Sequence, residues 1–234
     1  LGGIEKDWVS WEEIAPVMGR SAVAAEDANF CNHWGIDMAA IREEIEEGGN
    51  KGRSTISQQV VKNVFLWHGR SWLRKAMEAA MTPVVELFWS KSRILEVYLN
   101  VAEFGTGVFG VQAAARAYFD KDVDDLALHE MAYLAILPKA PETYSRERNY
   151  DQAIERRNFV LDQMEDNGHI TVAERDAAKA MPLGIVTGQR TERSADAGYF
   201  LEEVRRDLIE RFGETAEDGR NSVYAGGLWI RTSL

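Results

Sequence analysis

Apolar residues recur along most of the 234-residue chain at the three- and four-residue spacing of amphipathic helices. Ser10-x-x-Glu13 and Thr171-x-x-Glu174 resemble capping boxes, in which two side chains satisfy amides at a helix start. The pattern, with its polar caps and glycine stops, predicts helices over these segments: 20–32, 37–48, 54–66, 71–89, 90–100, 108–119, 124–137, 151–167 and 196–212.

Other signals predict where this helical pattern is interrupted. Pro83 predicts a kink or break within the segment 71–89. The glycine-rich stretch 101–110 predicts a loop, and 139–150 is the best candidate for a linker. Only 223–234 alternates apolar and polar residues as a pair of strands does. The chain is therefore predicted to be all-α with a short C-terminal β fragment.

Composition narrows the class of protein further. Hydrophobic residues make up 45% of the chain and charged residues 28%, which excludes a disordered or low-complexity protein. A single cysteine, Cys31, forms no internal disulfide. No run of apolar residues approaches the ~18 of a membrane span. A net charge of −11 argues against a nucleic-acid-binding protein.

Positive charge is concentrated in residues 51–100, which carry eight basic and three acidic side chains, a net of +5. A local excess of cations in an acidic protein indicates a site for one anionic ligand. A solvated helix face with mixed charges explains the same count, so both interpretations stay open on charge alone.

Four short blocks carry the candidate chemistry. Glu26 and Asp27 follow the apolar run 22–25, where a low-dielectric wall would raise the pKa of a carboxyl and make it a usable base or acid near neutral pH. The second block, 52–63, places hydroxyl residues at a helix start and so forms an anion cradle. The third, 70–78, adds a surplus of cations suited to a pyrophosphate. The fourth, 91–100, is typical of an amphipathic helix.

Several other sites are excluded by the motifs. The four histidines are scattered and only one cysteine is present, so a zinc site is not expected. The chain has no Walker loop, no Gly-x-Ser-x-Gly elbow and no dinucleotide-binding fingerprint. Taken singly, each block also has an ordinary structural explanation, such as an exposed acidic pair, a capped helix or an intrahelical salt bridge.

In this order the blocks resemble the glycosyltransferase family 51 domain, the peptidoglycan transglycosylase found as a monofunctional enzyme and in class A penicillin-binding proteins. The matching blocks are Glu-Asp-x-x-Phe-x-x-His-x-Gly-x-Asp (26–37), Gly-x-Ser-Thr-Ile-Ser-Gln-Gln-x-x-Lys-Asn (52–63), Arg-Lys-x-x-Glu (74–78) and Ile-Leu-Glu-x-Tyr-Leu-Asn (94–100). The resemblance covers about residues 8–141. No transpeptidase motif follows, so penicillin binding is not expected.

The resemblance implies an all-α, lysozyme-like fold with a small membrane-apposed lobe. It implies that 1–141 is the glycosyltransferase core, 142–222 a helical extension of it, and 223–234 a truncated β connector towards an absent transpeptidase domain. The implied reaction polymerises lipid II into β-1,4 glycan strands with inversion and releases undecaprenyl pyrophosphate.

The resemblance also assigns roles to residues. Glu26 would be the general base and Glu78 a second essential glutamate that organises cations beside the donor pyrophosphate. The residues expected to bind substrate or shape the site are Asp27, Phe30, Ser54, Gln58, Gln59, Lys62, Asn63, Arg70, Arg74 and Lys75. No protein metal ligands are expected and no cofactor is required, although a divalent cation, Mg²⁺ or Mn²⁺, is compatible with pyrophosphate chemistry.

The expected partners are lipid II, the growing glycan strand, the membrane surface and other cell-wall synthesis proteins. Apolar residues near the cations, Val64, Phe65, Leu66, Trp67 and Trp72, would contact the membrane interface or, alternatively, pack in the core. The expected location is the periplasmic face of the bacterial inner membrane, with a natural N-terminal anchor outside this sequence. A lysozyme-type glycan hydrolase and a catalytically silent lipid II-binding module are the competing interpretations.

Overall fold

A computed structural model of the chain describes residues 8–46, 54–67, 69, 71–105, 107–145, 147–186 and 206–213. Residues 1–186 form one compact unit and 187–234 another; in the second unit, 206–212 are helical. The helices of the first unit are α1 (Pro16–Glu26), α2 (Met38–Glu46), α3 (Ile56–Phe65), α4 (Trp72–Phe88), α5 (Lys91–Val101), α6 (Val111–Phe119), α7 (Leu128–Ile136), α8 (Pro141–Tyr144), α9 (Tyr150–Asp166) and α10 (Val172–Ala180). Short 3-10 turns lie at Phe30–Asn32, Val123–Asp125, Leu137–Lys139 and Glu147–Asn149.

The core is built around α1 and α7, which pack against each other and against α9, while α3 packs between α4 and α5. Helix α7 is buried along its whole length, so its apolar residues surround the axis instead of forming a stripe. The prediction of an all-α fold is confirmed. Among the described helices, none combines the length and apolar character that crossing a bilayer requires. The predicted division into 1–141, 142–222 and 223–234 stays a prediction, and the predicted strand pair at 223–234 lies outside the described residues.

Local capping explains several helix starts. Ser71, Ser90 and Thr171 each accept a hydrogen bond from an amide in the first turn of α4, α5 and α10. The Oδ1 atom of Asp37 accepts from the amides of Ala39 and Ala40 at the start of α2. These caps were predicted from sequence because each involves residues only two or three positions apart.

Several sequence-based predictions are wrong. Ser10 does bond to Glu13, but the pair closes a turn, and α1 begins at Pro16 and ends at Glu26 instead of running over 20–32. Helix α3 is capped by Thr55 instead of Ser54. The stretch 101–110 contains a two-stranded antiparallel sheet, β1 (Glu103–Gly105) and β2 (Val108–Phe109), where a loop was predicted.

Another wrong prediction is the linker at 139–150, which is folded as 3-10 turns and α8. The hydroxyl of Tyr133 in α7 donates to the carbonyl of Tyr144 over 3.0 Å, and Tyr144 itself packs against the core. Polar composition therefore did not indicate an independent connector.

Helix α4 also continues through Pro83 without a break. Proline removes one amide from the helix, but the Thr82 hydroxyl donates to the carbonyl of Glu78 over 2.7 Å in the adjoining turn. Thr82 and Val85 are buried beside it, so tertiary packing holds the helix where the local signal predicts an interruption.

Candidate active site

The end of α1 places Glu26 beside the start of α3. Small apolar residues fill the last turn of α1, and Asp27 leaves the helical conformation at φ −157° and ψ 71°. The chain therefore turns at the acidic pair and presents both carboxylates to the first turns of α3.

Burial dominates the electrostatics of Glu26. Its Oε2 atom accepts a hydrogen bond of 3.0 Å from Nε2 of Gln59 on α3, whereas its buried Oε1 atom has no hydrogen-bond partner among the described residues. Loss of solvent raises the pKa of Glu26, and the Gln59 hydrogen bond and the positive charges of Lys139 and Arg156 oppose that rise. Burial thus makes this carboxylate a stronger base than an exposed glutamate.

Asp27 joins the following loop to α3. Its Oδ1 atom lies 2.9 Å from Nε2 of His33, and its Oδ2 atom accepts from the amide of Ile56 over 3.0 Å. Because Nδ1 of His33 accepts from the amide of Gly35, Nε2 is the nitrogen that carries the hydrogen and donates to Asp27. Burial raises the pKa of Asp27, and the bond from His33 is the largest opposing effect. Both oxygens of Asp27 accept hydrogen bonds that hold the loop and α3 together. Glu26 is therefore the carboxylate of the pair that is available to accept a proton.

Phe30 and Gly35 complete this loop. Phe30 is fully buried, and Nζ of Lys91 lies 4.4 Å from the centre of its ring. Gly35 has φ +80°, and a Cβ atom there would lie 2.4 Å from Cγ2 of Thr82, so no other residue fits without displacement. The carbonyl of Gly35 accepts from the hydroxyl of Thr55 over 2.5 Å.

The second block divides into capping and groove-facing residues. Gln58 is buried, and its side-chain oxygen accepts from the Thr55 amide to form the capping box of α3. Ser54 accepts from Nζ of Lys75 over 3.3 Å. Gln59, Lys62 and the exposed Asn63 line a groove instead. The adjacent glutamines therefore have different roles: Gln58 caps α3, and Gln59 contacts Glu26.

The groove has a volume of about 1290 Å³ and is formed by α3, α4, α5 and the β1–β2 sheet. Trp67 and Trp89 contribute apolar walls, and Lys62, Arg74 and Arg93 contribute positive charge. Its size and mixed lining suit an elongated amphipathic ligand.

Cations surround a buried glutamate at this groove. Glu78 is 2% exposed and pairs with Lys75. Burial lowers the pKa of Lys62, and the charge of Glu78 is the largest effect that opposes it. Within the described residues Lys62 makes no ion pair or hydrogen bond, and the buried Nε of Arg74 has no partner. Two positive groups are therefore left for an anionic ligand, while Arg70 lies outside the described residues.

A metal site does not fit the acidic residues next to Glu26. In the described part of the chain, Asp27, His33 and Asp37 have candidate ligand atoms within 4.8 Å of one another. Each of those side chains already bonds to protein groups, with Asn29 donating to the second oxygen of Asp37 over 3.0 Å. That no cofactor is required, with Mg²⁺ or Mn²⁺ compatible with the chemistry, stays a prediction.

Sequence reasoning did not identify three groups around Glu26. Lys139, Arg156 and Tyr98 all interact with it electrostatically, from the 3-10 turn after α7, from α9 and from α5. Arg156 lies 130 positions from Glu26, and the order of residues gives no sign of the contact. Tyr98 stands within the fourth block but was assigned no role, although its buried hydroxyl has no hydrogen-bond partner in the described structure.

Comparison with known proteins agrees with the motif resemblance. A family model described as Transglycosylase matches residues 2–165. A biosynthetic peptidoglycan transglycosylase of Jannaschia sp. is 61% identical over 142 residues, covering 61% of this chain and 59% of the relative. One from Pectobacterium carotovorum is 48% identical over 167 residues, covering 69% of this chain and 68% of the relative. This chain thus spans less than two thirds of the length of the Jannaschia relative.

A solved structure, penicillin-binding protein 1A from Haemophilus influenzae, aligns with 89% of this chain and 22% of its own chain. The two share 26% sequence identity, with a TM-score of 0.49.

Proposed function

The chain belongs to the transglycosylase family, and from that premise we propose that it is a peptidoglycan glycosyltransferase that polymerises lipid II. The family match confirms the resemblance to transglycosylases that the four blocks predicted. The choice of lipid II as substrate and the roles of individual residues belong to the proposal.

The observation that carries the proposal is a desolvated carboxylate on one side of Gln59 and, on the other side, cations along the groove that have no partner among the described residues. Glu26 bonds to Gln59, which lines the groove together with Lys62 and Arg74. A base at one point and positive charge at another are the two requirements for moving a sugar from a pyrophosphate to a hydroxyl.

In the proposed reaction, Glu26 takes the proton from the 4-hydroxyl of the acceptor N-acetylglucosamine. The oxygen attacks the anomeric carbon of the donor N-acetylmuramic acid, and the bond from that carbon to undecaprenyl pyrophosphate breaks. Attack opposite the leaving group inverts the α-linked donor to a β-1,4 bond. Lys62 and Arg74 stabilise the charge that develops on the departing pyrophosphate, and Glu78 holds Lys75 beside them.

The decisive experiment compares wild type with Glu26→Gln in a lipid II polymerisation assay in detergent, with products separated on a gel. We expect glycan ladders from wild type and none from the variant. Release of muropeptides from isolated sacculi, without ladders, would instead establish a hydrolase. Lipid II binding without reaction in either assay would establish a binding module.

Exposed aromatic side chains support a membrane-facing groove entrance. Trp72 is 92% exposed, and Val64, Phe65 and Trp67 are each more than 40% exposed, whereas Leu66 is buried in the core. For Leu66 the alternative interpretation, packing in the core, is therefore the correct one, because α3 ends there and its side chain turns inward. We propose that the other four contact the bilayer on the periplasmic face of the inner membrane, where lipid-linked substrate and cell-wall synthesis proteins are found.

Liposome flotation tests this surface. Trp72→Ala should reduce the fraction of protein that floats with liposomes, because its ring is the most exposed aromatic group next to the cations. Trp34→Ala is the matched control, since that ring is 70% exposed but lies on the loop after Phe30. Equal flotation of the Trp72 variant and wild type would exclude the assignment.

A further inference from the structure

The strongest unused feature around Glu26 is the guanidinium of Arg156. Its Nη2 atom donates to the carbonyl of Ala25, the residue before Glu26, over 3.0 Å. Its carbon Cζ lies 4.6 Å from the centre of the Phe159 ring, one turn further along α9. Two contacts thus fix the orientation of the side chain.

Orphaned polar atoms occur on both sides of this contact. Nε of Arg156 and Oε1 of Glu26 are each buried without a hydrogen-bond partner among the described residues. Buried polar atoms are seldom left unpaired, because the loss of hydration is then uncompensated. The unpaired donor, Nε, belongs to Arg156, which also bonds to the Ala25 carbonyl. The unpaired acceptor, Oε1, belongs to the next residue, Glu26.

We propose that Arg156 is a positioning residue for Glu26, fixing the end of α1 through the Ala25 carbonyl and keeping a positive charge behind the carboxylate. This inference rests on the proposed function, in which Glu26 is the base. Neither Arg156 nor Glu26 is among the residues that line the groove, and Arg156 contacts the carbonyl directly before Glu26, so its effect on the reaction would pass through Glu26.

The charges around Glu26 determine in which direction its pKa should change when Arg156 is replaced. Asp27 raises its pKa, whereas Lys139 and Arg156 lower it. Lys62 on α3 also interacts with it, and Tyr98 on α5 faces both acidic residues. Removing Arg156 therefore removes one of the cations that oppose the effect of burial, so more of Glu26 is protonated at a given pH.

The experiment measures kcat/KM against pH in the lipid II polymerisation assay for wild type and Arg156→Gln. The acidic limb of the profile should move to higher pH by about half a unit to one unit. Arg156→Lys keeps the charge and should return the limb to its wild-type position. Arg20→Gln removes the same charge from an exposed position on α1 and should leave the profile unchanged.

A lower rate in Arg156→Gln with an unmoved acidic limb would overturn the inference and reduce Arg156 to a packing role. If Arg156→Gln does not fold, Arg156→Met carries the same expectation, because its stem still packs on Phe159. The assay includes Glu26→Gln: full activity of that variant would remove the proposed function itself, whereas an inactive Glu26→Gln with an unmoved limb in the Arg156 variant removes only this inference.

Discussion

Two glutamates, the half-buried Glu26 and the buried Glu78, occupy opposite electrostatic environments. Glu78 is paired with Lys75 on its own helix. Glu26 bonds to a neutral amide, has one oxygen without a partner in the described structure, and has a pKa raised by burial. One residue type thus serves two tasks: a neutralised carboxylate arranges positive charge, and a carboxylate without an ion pair is left able to accept a proton.

The substitution with the largest expected effect is the one that removes the base. Glu26→Gln keeps the shape of the side chain and an oxygen for Gln59, but it has no proton-accepting carboxylate. We expect polymerisation to fall by about 10²–10⁴-fold. Circular dichroism should show an unchanged helical fold. A rate near that of wild type would contradict the assignment of Glu26 as the base and of Glu78 as the residue that arranges positive charge.

The second effect concerns Glu78. Glu78→Gln removes the partner of Lys75, so the cations at the groove lose their arrangement, and we expect a rate loss of about 10²-fold. Unfolding free energy should fall by about 1–2 kcal/mol. Glu130→Gln is the matched control, because Glu130 is also buried and paired with a lysine, Lys121, at 2.8 Å. The control should lose stability but keep its rate.

A third change separates ligand binding from folding. Lys62→Met should lower the rate by about 10-fold or more through loss of charge at the pyrophosphate. Burial lowers the pKa of Lys62, so its charged form costs stability at neutral pH, and the variant should melt at the wild-type temperature or above it. Lys179→Met, which breaks an ion pair with Asp162, should lower stability slightly without a rate change. A melting temperature below that of wild type for Lys62→Met would contradict this assignment.

The smallest effect is the pH dependence of stability. Because the pKa of Glu26 is raised in the folded state, its ionised form is disfavoured there relative to the unfolded chain. Glu26→Gln should therefore be more stable than wild type at neutral pH. That advantage should disappear as the pH falls through the raised pKa towards 4.5, the ordinary value. Thermal unfolding across this range measures the difference, and a constant difference would contradict the raised pKa.

The features that were predictable from sequence are local. The caps at Asp37, Ser71, Ser90 and Thr171 depend on neighbours two or three positions away, and they were identified correctly. The acidic pair after an apolar turn also predicted a desolvated carboxyl, which the raised pKa of Glu26 supports. The sequence could not choose between Glu26 and Asp27 from this pattern, since the choice depends on His33 and Ile56.

The features that were missed depend on tertiary contacts. Pro83 predicts a kink or a break in α4, and the break does not occur, because Thr82 and the packing around it keep the helix continuous. Tyr144 belongs to a polar segment that predicts a linker, yet its carbonyl is held by Tyr133. Arg156 reaches Ala25 across 131 positions. No periodicity or spacing along the chain encodes such contacts.

Gly35 has a consequence for the genetics of this protein. A side chain at Gly35 would clash with Thr82 and displace the loop that contains Asp27 and His33. No acidic or basic group of the site would be changed chemically. The fraction of molecules that still accommodate the loop would then fall as the temperature rises. Substitutions of Gly35 are accordingly where we expect temperature-sensitive alleles to arise.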